Sequence, residues 1–160
     1  MNKVKDISRL SIVAALYVVL TLVFGFMSYG DIQFRVAEIL ILLCFFKKDY
    51  GISLIIGCAI SNLFSPLGMI DVIFGTLATA VSVLFVMISK NLFVSAIYPV
   101  LFNGLIVGAE LYFILGLPFI YSSLTVMIGE ACVLIVGAII FNRLKRNENF
   151  LEMIEADQNV

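Results

Sequence analysis

Residues 31–40 read DIQFRVAEIL, and this stretch places two opposite charges at the start of one of the most apolar runs in the chain. Arg35 and Glu38 stand three positions apart, a spacing that puts both side chains on one face of a helix. Charges in an apolar setting are costly unless they face a protein interior or a wet cavity. The pair therefore indicates a functional role within an apolar structure.

The composition of the whole chain indicates that this apolar structure is embedded in a membrane. Of the 160 residues, 62% are hydrophobic and 13% are charged, whereas a soluble domain averages roughly 45–50% and 25%. The charges collect at the two ends and in a few short clusters. We therefore predict an all-α membrane protein, with one transmembrane domain at residues 1–146 and an acidic cytoplasmic tail at 147–160.

Six apolar intervals alternate with short breaks, and we predict that each interval is a transmembrane helix. The breaks include "KKDYG", "SPLGMID", "SKN" and "GLP", which are too compact to be anything but turns. The second and third intervals are short for a hydrocarbon core that needs about 20 residues. The intervals are 9–28, 34–46, 51–65, 69–89, 92–115 and 119–142.

The placement of lysine and arginine predicts the orientation of these spans. With both termini in the cytoplasm, nine of the ten basic residues fall on the cytoplasmic side, and Arg35 alone falls on the outer side. The distribution favours six spans, because an odd number would place the C-terminal basic cluster outside.

The polar residues within the predicted spans all fall in the outer half of the membrane when depth is counted from the helical rise. A pathway through the whole bilayer would need polar groups on both sides of the midplane. The asymmetry instead predicts a pocket that opens outward and is closed below, although hydrogen bonding between helices is the alternative for any single residue. The candidate substrate-binding residues are Glu38, Asn62, Asp71, Asn103, Glu110 and Glu130, flanked by the aromatic residues Phe34 and Phe64.

The charge balance of this set indicates the kind of ligand. Arg35 offers one cation against four carboxylates, so the site should favour a ligand that is rich in hydrogen-bond donors or carries a positive charge. We expect Glu38 to contact the ligand and Arg35 to orient Glu38 from behind. Arg35 could also fix another helix through Asp31 or Asp71.

Several function classes are disfavoured by what the sequence lacks. A net charge of −1 provides no basic field for nucleic acid, and the chain has neither histidine nor a Gly-x-x-x-x-Gly-Lys phosphate loop. Cys44, Cys58 and Cys132 lack metal-ligand spacing and are interpreted as small buried hydrophobic residues. We predict no enzymatic activity, no metal and no cofactor.

The segments "IQFRVAEIL" and "SNLFSPLGMIDVIFGTLAT", joined by an apolar run and the "KKDYG" turn, resemble the QueT family of queuosine-precursor transporters. Members of this family are membrane substrate-binding subunits, or S components, of energy-coupling factor (ECF) transporters. The resemblance covers residues 8–142 and rests on the Arg-x-x-Glu and Asn-Leu-x-Ser-Pro-x-Gly-x-x-Asp patterns. It implies a six-helix bundle in a bacterial plasma membrane, with lipid around it and an outward-facing pocket.

The resemblance also implies partners and a ligand. The partners are a transmembrane subunit, EcfT, and two ATPase subunits. Members of the family dock on this complex through small residues of their own first helix. Here Ser11, Ala14 and Ala15 provide such residues, with Ser11 in place of the first alanine of the usual Ala-x-x-x-Ala. The implied ligand is a 7-deazaguanine such as preQ1, whose pairing edge and ammonium arm suit two carboxylates.

Two other functions stay open at the level of sequence. One is a stand-alone proton-coupled carrier of a small cationic or purine-like metabolite, with Glu110 or Glu130 as the proton relay. The other is an intramembrane enzyme, for which the sequence offers no nucleophile and base that could be named.

Overall fold

The computed structural model describes residues 3–28 and 33–157, and these residues form helices joined by short turns, with no strand among them. The helices are α1 (Lys3–Val23), α2 (Gly25–Ser28), a 3-10 helix (Val36–Leu42), α3 (Leu43–Phe46), α4 (Tyr50–Asn62), α5 (Met69–Ile88), α6 (Leu92–Ser95), α7 (Ile97–Leu115), α8 (Phe119–Leu144) and α9 (Glu148–Met153).

Four helical segments in the described ranges are long and apolar enough to cross a membrane, namely Val4–Val23, Met69–Ile88, Leu92–Leu115 and Phe119–Leu144. Two shorter apolar segments, Val36–Phe46 and Tyr50–Asn62, match the two intervals that are already short in the sequence. The all-helical architecture is thus confirmed. The count of six spans and the cytoplasmic position of the termini stay predictions.

The first of the short segments is wound mainly as a 3-10 helix, which the sequence did not predict. A 3-10 helix rises about 2.0 Å per residue and an α-helix about 1.5 Å. The seven 3-10 residues and the four residues of α3 therefore cover about 20 Å, where eleven α-helical residues would cover about 16.5 Å. This winding lets a short segment span a greater distance along its axis.

Glycines on α7 and α8 set the spacing of the helices around this segment. A Cβ at Gly137 would lie 3.1 Å from Ile39 and 3.3 Å from Leu42, so α8 approaches the 3-10 helix closely there. On α7, a Cβ at Gly108 would lie 2.8 Å from the Cα atom of Ser123, and Gly104 faces the Met127 side chain. The Gly104–Gly108 pair therefore serves helix packing, as its Gly-x-x-x-Gly spacing indicates.

The segment 147–157, which we call the C-terminal strap, packs against the end of the bundle where α8 finishes. The centre of the Phe150 ring lies 6.0 Å from those of Phe46 and Phe141, and the Tyr50 hydroxyl donates to the Ile154 carbonyl over 3.0 Å. The Asp157 backbone N–H donates to the Phe46 carbonyl over 2.8 Å. The sequence alone allows either a short helix or disorder in this tail, and the structure gives it the short helix α9.

Charges fix the strap to the same end of the bundle. Glu155 forms an ion pair with Arg9, a second with Lys47 at 3.5 Å and a third with Lys5 at 4.0 Å. Residues predicted to share one side of the membrane thus meet at one end of the structure.

The cysteines follow the expectation in part. Cys44 and Cys58 are buried, but Cys132 is exposed on α8, so its interpretation as a buried hydrophobic residue is wrong. The reason is that α8 is apolar on nearly every face, and periodicity cannot tell which face packs inward.

Candidate substrate-binding site

Glu38 is fully buried in the 3-10 helix and is held by hydroxyl groups from two other helices. The Tyr17 hydroxyl of α1 donates a hydrogen bond to Oε1 of Glu38, and the Thr79 hydroxyl of α5 donates to the same oxygen over 3.4 Å. Oε2 has no hydrogen-bond partner among the described residues. One oxygen of this carboxylate is therefore fixed by the protein, and the other is free to accept a hydrogen bond.

Arg35 pairs with Asp71 and not directly with Glu38. Its Nη2 atom lies 3.3 Å from Oδ1 of Asp71, and the Asn62 amide donates to the Asp71 backbone carbonyl over 3.1 Å. Gly75 makes room for the group, because a Cβ there would lie 3.1 Å from Asp71 Oδ1. Of the two further partners suggested for Arg35, Asp71 is in contact and Asp31 lies outside the described residues. The role of Arg35 in orienting Glu38 stays a prediction, since Arg35 acts on Glu38 through its charge and without a direct ion pair.

A second part of the site joins α7 to α8. The Asn103 amide donates to Oε1 of Glu130 over 3.3 Å and also lies close to Glu38. Oδ1 of Asn103, Oε2 of Glu130 and both carboxylate oxygens of Glu110 have no partner in the described part of the chain. A buried polar group left unpaired costs about 1–3 kcal/mol. These atoms therefore favour a bound donor.

The predicted polar residues converge in the structure. Charge interactions connect Glu38 with Glu130, and Glu110 with Asp71 and Arg35. Each of these residues is at most 3% exposed, so all of them face the protein interior. We call this set the polar cluster; its members are Arg35, Glu38, Asn62, Asp71, Asn103, Glu110 and Glu130.

A cavity of about 300 Å³ lies at the end of the bundle opposite the strap, beside the start of α5 and α8. Its volume is at the lower end of the range for small-molecule sites, which suits a compact ligand. Of the polar cluster, Asp71 alone lines the cavity, while Gln33 and Ser122 each add a buried oxygen with no partner in the described ranges. The lining residues are Gln33, Ser65, Pro66, Leu67, Asp71, Leu111, Leu115, Leu117, Tyr121, Ser122 and Thr125.

The two predicted aromatic residues lie apart from this cavity. The Phe64 side chain is 62% exposed, and the Phe34 side chain is half-buried; neither lines the cavity. Tyr121 is the aromatic residue that does line it. The role of Phe34 and Phe64 in binding stays a prediction.

Sequence reasoning missed several uncharged members of the site. These members carry hydroxyl or amide groups, which membrane helices also use for hydrogen bonds to one another. They are Tyr17, Thr79, Gln33 and Ser122. Only the position of Gln33, next to the Arg-x-x-Glu pattern, could have singled one of them out from the sequence.

The small residues predicted for partner docking lie on α1, which is the least enclosed of the long helices. Ser11 and Ala15 are exposed, and Ala14 is half-buried, with its carbonyl 3.0 Å from a Cβ position at Gly57. Only 11% of the α1 span is buried, against 39% to 44% for the other three long spans. This helix therefore leaves a wide apolar face open.

Comparison with known proteins identifies the family. The model of the QueT transporter family matches residues 7–146. The queuosine precursor transporter QueT of Lactococcus lactis subsp. cremoris (strain MG1363) is 38% identical over 162 aligned positions, which cover 89% of this chain and 94% of the relative. No solved structure matches the chain. The match along almost the entire length shows that this protein belongs to the QueT family of transporters.

Proposed function

We propose that this protein is the membrane-embedded S component of an ECF-type importer and captures a queuosine precursor, preQ1, from outside the cell. The observation that carries the proposal is the polar cluster, where four carboxylates share one guanidinium group and Glu38, Glu110 and Glu130 keep unpaired oxygens. A buried site of this kind favours a cationic ligand with several N–H donors.

The chemistry of preQ1 suits these acceptors. Its pairing edge presents adjacent N–H donors that a carboxylate can accept in parallel, and its ammonium arm can pair with a second carboxylate. Glu38 or Asp71 meets one end of the ligand and Glu110 or Glu130 the other, while Asn62 and Asn103 orient it. The nitrile precursor preQ0 lacks the cation, so we expect it to bind less tightly.

The open face of α1 supports the assignment to an ECF complex. Ser11, Ala14 and Ala15 form the surface that docks on EcfT, because small side chains let two membrane helices approach closely. The two ATPase subunits supply the energy for uptake.

Calorimetry with preQ1 on the purified protein tests the ligand and the site together. We expect Glu38→Gln and Glu110→Gln each to weaken binding by more than tenfold, which is about 1.4 kcal/mol. Each change removes the negative charge and replaces one acceptor oxygen with a donor NH2 group. Glu148→Gln is the matched control, since Glu148 is exposed on α9. Unchanged affinity in both site variants would show that these acids only bond helices together.

Uptake by cells separates the S component from a stand-alone proton-coupled carrier. An S component loses uptake when the partner ATPase is inactivated, although the purified protein still binds its ligand. Uptake that stops with an uncoupler and is indifferent to loss of the ATPase would favour the carrier instead.

A further inference from the structure

We infer that Tyr17 of α1 is a positioning residue for the ligand: its hydroxyl holds Oε1 of Glu38 so that Oε2 faces the ligand as a free acceptor. The inference rests on the proposed function, because it concerns how the same site presents one of its carboxylates. It assigns a role to a residue on a helix that otherwise contributes little to the interior.

The packing of α1 isolates Tyr17 as an inward-facing residue. Along the described side chains of α1, only Tyr17 and Thr21 are buried, and the Thr21 hydroxyl donates to the backbone carbonyl of Tyr17 over 2.9 Å. Gly57 of α4 admits the ring, since a Cβ at that position would lie 3.0 Å from Tyr17 Cβ. The Tyr17 side chain is 1% exposed, and its hydroxyl is directed to the Glu38 carboxylate.

The alternatives for holding Glu38 are weaker. Arg35 is engaged with Asp71, and the Thr79 hydroxyl donates to the same Glu38 oxygen at 3.4 Å, which is long for a bond from a hydroxyl. Thr79 also lies 3.2 Å from the Cys58 sulfur, a contact in which either atom can be the donor. The Asn103 amide, which lies close to Glu38 as well, donates to Oε1 of Glu130 over 3.3 Å. Of the three side chains that hydrogen-bond Glu38, Tyr17 therefore has the largest part in orienting the carboxylate.

A carboxylate anchored through one oxygen presents the other in a fixed direction. Ligand binding then does not have to order the Glu38 side chain, and this preorganisation raises affinity without a contact between Tyr17 and the ligand. Removing the Tyr17 hydroxyl leaves Glu38 in place but free to turn.

The test compares two tyrosines that each lose one buried hydroxyl. Tyr17→Phe should weaken preQ1 binding about tenfold in calorimetry of the purified full-length protein. Tyr50→Phe removes a hydroxyl that donates to the Ile154 carbonyl at the strap, also from a side chain that is 1% exposed, and should leave the affinity within twofold. Equal losses in both variants would mean that Tyr17 acts only through general stability, and an unchanged affinity in Tyr17→Phe would also overturn the inference.

The same change in a Glu38→Gln background decides whether Tyr17 acts through Glu38. With no carboxylate to hold, adding Tyr17→Phe should change the affinity by less than twofold. A full tenfold loss in that background would contradict the inference, because it would require a role independent of Glu38.

A measurement without ligand separates this inference from the proposed function. The infrared carboxyl band assigned to Glu38, by its absence in Glu38→Gln, should shift in Tyr17→Phe and not in Tyr50→Phe. Failure of the wild-type protein to bind preQ1 would contradict the proposed function, whereas an unshifted band would show that Tyr17 does not hold Glu38.

Discussion

Asp71 combines two roles at the residue scale, because its carboxylate neutralises Arg35 and also lines the cavity. Arg35 is 3% exposed, so the positive charge of its guanidinium group is compensated in the interior by this partner and not by water. A buried ion pair contributes little by itself, but removing one partner leaves an uncompensated charge in the interior. The pair thus fixes the start of the 3-10 helix against the start of α5.

We therefore predict that Asp71→Asn lowers the stability of the protein by about 3–5 kcal/mol, since Arg35 would stay buried without its counter-charge. Thermal unfolding in detergent measures the loss. The double variant Arg35→Met with Asp71→Leu should recover much of the stability while ligand binding stays weak. If Asp71→Asn unfolds at the same temperature as the wild-type protein, the pair does not hold these segments together.

At the element scale, the contact between α8 and the chain at Gln33 depends on a single glycine. A Cβ at Gly129 would lie 2.8 Å from the Gln33 backbone carbonyl carbon, so a larger residue must displace the segment that leads into the 3-10 helix. Gln33 lines the cavity, so this contact shapes one wall of the proposed ligand site.

Gly129→Ala should consequently weaken ligand binding by more than tenfold and destabilise the fold by about 1–3 kcal/mol, as overpacking against backbone commonly does. Gly104→Ala on α7 is the matched control, because the atoms nearest to its added methyl belong to the side chain of Met127 and not to backbone. Calorimetry and thermal unfolding compare the two variants. Similar behaviour of both would show that the Gln33 segment moves aside freely.

The elements differ in how far the sequence predicts them. The uninterrupted apolar runs of α5, α7 and α8 can form only helices in a membrane, and the acids that they carry meet inside, as their depth in the spans indicates. The 3-10 winding of Val36–Leu42 could not be predicted from the sequence. It follows from the distance that the segment must cover and not from local preference. Tyr17 was missed for a similar reason: its inward orientation depends on Gly57, forty positions later in the chain.

α1 also connects the two roles that we propose for its opposite sides, which are partner docking and the positioning of Glu38. Its exposed side carries Ser11 and Ala15, and its buried side carries Tyr17. Because a helix moves as a rigid rod over two turns, docking on one side would displace the donor that holds Glu38 on the other.

At the scale of the whole molecule, the strap closes the end of the bundle opposite the cavity. Its residues connect α1, the turn after α3 and the end of α8 through Glu155, Ile154 and Phe150. Glu155 has a φ of 49°, a left-handed conformation uncommon outside glycine. The contacts on either side of it hold the chain in this turn.

The attachment of the strap should depend on pH. The hydrogen bond from Arg9, together with the charges of Arg9 and Lys47, lowers the pKa of Glu155 below its ordinary value. A group with a lowered pKa in the folded state stabilises that state above its ordinary pKa, about 4.3 for glutamate, and the stabilisation is lost as the pH falls through the lowered value. The protection factors of the strap amides against hydrogen exchange, which correct for the intrinsic pH dependence of exchange, should therefore be high near neutrality and fall in acid.

Glu155→Gln is the control for this prediction. It should lower the protection factors of the strap amides near neutrality, with a smaller further change in acid, because the charge that Glu155 loses in acid is already absent. Identical pH profiles for both proteins would show that Glu155 does not hold the strap.

Because Val36–Leu42 is wound as a 3-10 helix, the segment that carries Glu38 is longer than an α-helix of the same residues would be. If its seven residues rewound as an α-helix, they would shorten by about 3.5 Å. Such a contraction would draw Glu38 away from both hydroxyl donors without breaking the chain's continuity or needing a hinge residue. A change of helical pitch over about two turns of backbone would therefore be enough to alter how Glu38 is presented to a ligand.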